Sequence, residues 1–239
     1  MENRGQKYLA TFKKLEARLR KIAGAGNSTM QFKDIVEKAG NKNPAVMAKK
    51  GIIGNLYGLR NVFAHADMDK YIADVNDLAF AEIDKIIGLL DNPPKAIDIF
   101  GGDVFIARLN DDMGVVLRKM KDNLYTHIPV YDNDRFIGIL SEATILEWLV
   151  ENINEGGIAY FMEQKVGDIN RGYLHPKTNE CKFIKQTASI FEIYKMFEDA
   201  IYGKNRLGAV LITKNGTKDE KPLGIITAWD LPKLKDCLA

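Results

Sequence analysis

Apolar residues recur at steps of three and four through Leu9, Phe12, Leu15, Leu19 and Ile22. That period belongs to an amphipathic helix and predicts one over residues 7–23. Gly24 to Ser28 breaks it. A second short helix is expected over 29–39. Pro44 suits the first position of a third, running through 45–66, at the cost of Gly51, Gly54 and Gly58 inside it. A fourth is expected over 74–90, with Leu78, Ile83, Ile86, Ile87 and Leu90 on its apolar side. The run Asp-Asn-Pro-Pro at 91–94 ends it. The first 95 residues therefore read as all-helical.

After Pro94 the period changes. Short β-rich runs stand at 104–108, 127–132 and 135–141, the last two flanking the turn pair Asn133-Asp134. Helices are expected at 113–122 and 142–151. The pattern then returns. Lys119-Met120 has a counterpart in Lys195-Met196, Pro129-Val130 in Ala209-Val210, and Gly138-Ile139-Leu140-Ser141 in Gly224-Ile225-Ile226-Thr227. Each copy reads strand–helix–strand–strand–helix. The expected fold class is α+β, with a helical bundle over 1–95 and two repeats over 96–155 and 156–239.

Composition narrows the picture. Of 239 residues, 46% are hydrophobic and 28% charged, as in soluble globular chains. No apolar run is long enough to span a bilayer, and the charged N-terminus lacks the apolar segment of a secretory signal. Cys181 and Cys237 are the only cysteines. Two unspaced cysteines make neither a disulfide framework nor a zinc site, so a reducing, cytoplasmic compartment is expected. His127 and His175 lack a partner constellation, and no metal is expected. Residues 1–50 carry 12 basic against 4 acidic side chains. Such a start either attracts a polyanion such as RNA or is a solvated helix face.

The candidate chemistry lies at the end of each copy's third strand. The second copy reads Gly224-Ile225-Ile226-Thr227-Ala228-Trp229-Asp230; the first reads Gly138-Ile139-Leu140-Ser141-Glu142-Ala143-Thr144. Where the strand ends and a helix begins, Thr227 takes the N-cap, beside unpaired N–H groups that favour phosphate. Asp230 follows one turn later, and a carboxylate accepts the two hydrogen bonds of a ribose diol. The alternative is that the two residues only cap the helix. This repeat resembles the CBS domain, and two in tandem resemble a Bateman module. The resemblance implies a regulatory protein that binds an adenosine nucleotide such as AMP or ATP. It implies phosphate or ribose contacts at Thr227 and Asp230 and a cationic contact at Arg206. Backbone around Lys182, Ile184, Gly208 and Ala209 would lie beside the base. The weaker first site would use Ser141, Thr144 and Thr126, with Thr126 standing for Arg206 and Thr144 lacking the diol-accepting carboxylate.

In the helical part, Asn61 and His65 are four residues apart and share a helix face, with Arg60 adjoining. Imidazole moves protons near neutral pH, and guanidinium neutralises charge on phosphate. The alternative is that these residues tie helices together through Asp67 or Asp69. Arg-Asn-x-x-x-His in a helical bundle resembles the HEPN domain. That resemblance implies a metal-independent endoribonuclease with Arg60, Asn61 and His65 as catalytic residues. The nucleotide state of the repeats would then gate it. Both resemblances imply a homodimer.

Overall fold

The computed structural model describes residues 4–65, 74–152, 164–169, 174, 180–203 and 206–238. The side chains of His65, Glu180, Lys235, Asp236 and Leu238 lie outside that description. The chain divides into two compact units, meeting between Pro94 and Lys95. The protein is α+β with an N-terminal helical region.

The helical unit contains α1 (Arg4–Ala23), α2 (Phe32–Lys42), α3 (Pro44–Ala48), α4 (Lys50–His65) and α5 (Asp77–Asp91). The third predicted helix is thus two. Pro44 opens α3 at its first position, and Asn43 caps it by accepting from the Ala45 N–H at 2.9 Å. Lys49 leaves helical geometry at φ −100°, ψ 8°, and α4 restarts after it. The apolar stripe of α1, Tyr8, Phe12, Leu15 and Leu19, is buried against Phe32, Ile35 and Val36 of α2, Ile53 and Leu56 of α4, and Ile83 and Ile86 of α5. The Tyr8 hydroxyl donates to the Leu56 carbonyl at 2.8 Å, so the polar tip inside this core is satisfied. Burial pushes that phenol up to about 12.

The second unit holds two three-stranded sheets. The first runs β1 (Ala107–Arg108), β2 (His127–Asp132), β3 (Arg135–Ser141). The second runs β4 (Glu180–Lys185), β5 (Leu207–Thr213), β6 (Gly224–Thr227). In each, the first pair is parallel and the second antiparallel. The described residues of this unit also form α6 (Ala96–Phe100), α7 (Met113–Asn123), α8 (Glu142–Asn152) and α9 (Ile190–Tyr202). The chain then passes through a 3₁₀ turn (Ala228–Asp230) into α10 (Leu231–Leu238). The sheets meet at an aromatic contact. Phe136 of β3 stands edge-on to Phe183 of β4, centroids 5.0 Å apart, and to Tyr131 of β2 at 5.4 Å. The Tyr131 hydroxyl donates to the Glu220 carbonyl at 3.1 Å, in the loop between β5 and β6. That loop is held by the Glu220 carboxylate, which accepts from the Asn215 and Thr217 amides and is pulled down to about 2.

The linkers are exchanged. The segment before the first sheet packs on the second: the Ala96 N–H donates to the Ala188 carbonyl, the Gly102 N–H to the Leu223 carbonyl, and Gly101 bridges Gly224. The segment before the second sheet packs on the first: the Val166 N–H donates to the Asp111 carbonyl and the Gly167 N–H to the Leu109 carbonyl, while Asp112 bridges Lys165. Hydrogen bonds therefore cross a division at 155/156 in both directions. The two glycines of the repeated motif permit this. A Cβ on Gly224 would stand 2.5 Å from the Phe100 carbonyl oxygen, and one on Gly138 closer still to that of Leu174. Both obstacles are backbone, which cannot swing aside. Gly224→Ala and Gly138→Ala should each cost about 3 kcal/mol, the upper end of overpacking. Urea unfolding of the two variants measures this; wild-type stability in either would contradict the packing.

Candidate functional site

The sheet ladder assembles the second-sheet site. Thr227 of β6 lies opposite Ala209 of β5, and Ala209 opposite Cys181 of β4. Partners across a ladder share a face, so Cys181, Ala209 and Thr227 form one row. Phe183, two residues on from Cys181, is on the same face, the one turned to Phe136 of the first sheet. Thr227 and Asp230 are brought together at the end of this row. The Thr227 N–H donates to Asp230 Oδ2 at 2.8 Å, and the Thr227 hydroxyl donates to the same oxygen at 3.2 Å. Neither bond uses Oδ1. Both residues are half-buried, and Trp229 between them is 77% exposed. The turn that follows Thr227 is 3₁₀ rather than α, so the helix expected at Thr227 begins only at Leu231. Its capping is a reciprocal box between Thr227 and Asp230.

The first sheet differs. The hydroxyls of Ser141 and Thr144 are 2.9 Å apart, and the Thr144 N–H donates to Ser141 Oγ at 3.1 Å. These residues are 1% and 0% exposed. The pair is shut from solvent. Here α8 begins directly at Glu142.

The ladder also revises the sequence correspondence. Ser141 lies opposite His127 as Thr227 lies opposite Ala209. His127, not Pro129, therefore stands where Ala209 does, and Thr126 matches Gly208 rather than Arg206. The Thr126 hydroxyl lies 2.9 Å from Nδ1 of His127. Arg206 is exposed, one residue before β5. Gly208 and Ala209 are buried in β5. Lys182 and Ile184 alternate with Cys181 and so take the opposite face from Thr227; Lys182 is exposed and Ile184 is 5% exposed. The residue that the sequence reading passed over is Cys181, half-buried in the Thr227 row. Burial pushes its thiol up to about 12, away from nucleophilic chemistry.

In the helical unit, Arg60 and Asn61 lie on α4, and Arg60 Nη1 donates to Asn61 Oδ1 at 3.1 Å. The His65 side chain, Asp67, Asp69 and His175 lie outside the described residues. Among the described residues, clefts open on this unit at Lys7, Thr11 and Phe80 and at Lys21, Ile22 and Leu90; Arg60 lines neither of these. Among the described residues no three His, Cys, Asp or Glu side chains gather as metal ligands, and no helix is long and apolar enough to cross a membrane.

Residues 97–151 match the family model of the CBS domain, and the chain carries a CBS domain there. No curated protein matches the sequence. Among solved structures, the CBS domain of a CBS domain containing membrane protein from Sphaerobacter thermophilus is 18% identical, with a TM-score of 0.43. The match covers 66% of this chain and 97% of that one. CBSX2 in complex with AMP is 14% identical at a TM-score of 0.38, covering 61% and 92%. The CBS domain pair of protein MJ0100, in complex with 5′-methylthioadenosine and S-adenosyl-L-methionine, is 13% identical at 0.43, covering 60% and 97%. Likeness at this level assigns no ligand.

The capping box makes one outcome measurable without any ligand. Asp230→Ala removes both bonds to Thr227 and should cost about 1 kcal/mol, the usual worth of an N-terminal cap. Asp230→Asn keeps an acceptor oxygen and should cost less than half of that. Chemical denaturation of both variants checks the order; wild-type stability in Asp230→Ala would mean that the box contributes nothing.

Proposed function

We propose that this chain is a regulatory CBS-pair protein that binds an adenosine nucleotide at the second sheet. In this reading residues 156–239 are the second CBS repeat. The observation that supports it is the contrast between the two motif ends. Thr227 and Asp230 are half-buried, adjacent and carry a carboxylate oxygen outside the cap, whereas Ser141 and Thr144 are sealed from solvent and bring no carboxylate. A nucleotide entering the second site would offer its ribose diol to Asp230 and its phosphate to the Thr227 hydroxyl and to Arg206. The base would lie along the row of Ala209 and Cys181, which is apolar enough to exclude water from one ring face. Ligand contacts at Thr227 and Asp230 would order the entry to α10, and the nucleotide state would thereby bias the attached helical unit. For that unit, the HEPN-like nuclease reading rests on the spacing of Arg60, Asn61 and His65 alone, and the bond between Arg60 and Asn61 adds nothing to it.

Calorimetry against AMP, ATP, 5′-methylthioadenosine and S-adenosyl-L-methionine tests the proposal. At least one should bind the wild type. Asp230→Ala should weaken that ligand by about 1.5–3 kcal/mol, the range for charge-assisted hydrogen bonds, while Thr144→Ala leaves it unchanged. A panel in which nothing binds, or equal affinity for wild type and Asp230→Ala, would refute the assignment.

A further inference from the structure

The chain enters the repeats by way of the sheet that comes second in sequence. Lys95 follows directly on the helical unit. Lys95 bridges Ser189, the Ala96 N–H donates to the Ala188 carbonyl at 2.9 Å, and the Gly102 N–H donates to the Leu223 carbonyl at 3.0 Å. Segment 95–102 is thus held by the half that carries Thr227 and Asp230, although the first sheet is the one it leads into.

Phe100 in this segment is gripped twice. Its carbonyl lies against Gly224, where a Cβ would come within 2.5 Å of the oxygen. Its ring lies under Lys233, whose ammonium stands 4.9 Å from the centroid and donates to the Ile99 carbonyl at 3.2 Å. Ile99 is in the last turn of α6, where carbonyls have no partner within the helix and a cation is favoured. Gly224 stands three residues before Thr227, and Lys233 three residues after Asp230. The capping box between Thr227 and Asp230 therefore lies between the two grips on one stretch of chain. Its bonds fix the turn from β6 into α10, and the direction of α10 sets whether Lys233 reaches Ile99 and Phe100. The Gly224 grip is backbone against backbone, set by the sheet. The Lys233 grip is a single exposed side chain on a flexible stem, so it is the one that a change at the cap releases.

We propose that Lys233 is a positioning residue that transmits the state of the Thr227–Asp230 cap to segment 95–102, so that the helical unit responds to the second sheet rather than to the first. With the cap made, Lys233 clamps the end of α6 against β6. With the cap loosened, the clamp opens and the Gly102 bond to Leu223 is more often unmade. The clamp is the two-state element that such coupling requires. A nucleotide that takes hold of Thr227 and Asp230 tightens the same cap. That trigger rests on the binding proposal above, whereas the clamp itself does not.

Amide hydrogen exchange of the isotope-labelled full chain, read at Gly102, tests this. The Val166 amide, bonded to Asp111 on the first sheet, is the internal control for general loosening. In ligand-free protein, Asp230→Ala and Lys233→Met should each speed Gly102 exchange by about fivefold and leave Val166 as it is. The double variant should exchange no faster than Lys233→Met alone, as expected of two residues acting through one contact. Lys233→Arg keeps the cation and a donor and should keep wild-type protection. AMP should slow Gly102 exchange in the wild type and not in Lys233→Met, at equal affinity for both. An Asp230→Ala variant that leaves Gly102 unchanged overturns the proposal, as do single effects that multiply in full in the double variant. AMP that binds without slowing Gly102 also overturns it and leaves the binding site standing. Failure of AMP to bind bears on the site alone, and the ligand-free cycle still decides the clamp.

Discussion

The close backbone approach at Gly224 and Gly138 is the constraint on which the second unit depends. At each glycine a linker from the opposite half of the repeat lies against the third strand, nearer than any side chain would permit. The approach does two things. At Gly224 it covers a sheet edge, where Gly101 bridges the strand and the Gly102 N–H donates to the Leu223 carbonyl. At Gly138 it lets the Leu174 backbone lie against β3. The contact beside Gly224 continues into the candidate site. Lys233 of α10 donates to the Ile99 carbonyl at 3.2 Å and lies over the Phe100 ring, 4.9 Å from its centroid. The linker, β6 and the entry to α10 are therefore fixed together around Thr227 and Asp230.

The same motif serves two ends in the two sheets, and the residue at its last position, Asp230 against Thr144, separates them. In the second sheet a carboxylate at position 230 reaches back to the Thr227 amide and hydroxyl, and its second oxygen takes no part in the cap. In the first, Thr144 has no charge to keep hydrated. Its hydroxyl and amide turn to Ser141, and the pair sinks into the core beside Trp148, which is 6% exposed. Carboxylate chemistry keeps one motif end at the surface, and hydroxyl chemistry lets the other close.

Much of this was legible from period and punctuation. The apolar stripe of α1, the Pro44 start of α3 and the paired runs of β2 and β3 follow from side-chain spacing alone. So does the glycine shared by the two motif ends. What escaped was set by pairing between distant segments. Aligning Pro129 with Ala209 satisfied the residue types, but ladder register places His127 there, and register is not written in either strand separately. Nothing in the sequence of β4 says which of its faces bears the Thr227 row; it is the face of Cys181, opposite to Lys182 and Ile184. The third helix broke at Lys49, a residue with no breaker chemistry. The exchanged linkers left no trace, because segments 95–102 and 164–169 lack any period of their own. For Arg60, Asn61 and His65, six residues of helix were too short a pattern to fix more than a shared face.

The central claim is that the adenosine site lies at the Thr227 end of the second sheet and not at the Ser141 end of the first. Titration of isotope-labelled protein with AMP, followed by amide resonances, addresses it residue by residue. The account predicts shifts at the amides of Thr227, Asp230 and Ala209, with those of Ser141, Thr144 and His127 unmoved. Shifts confined to Ser141, Thr144 and His127 would contradict it.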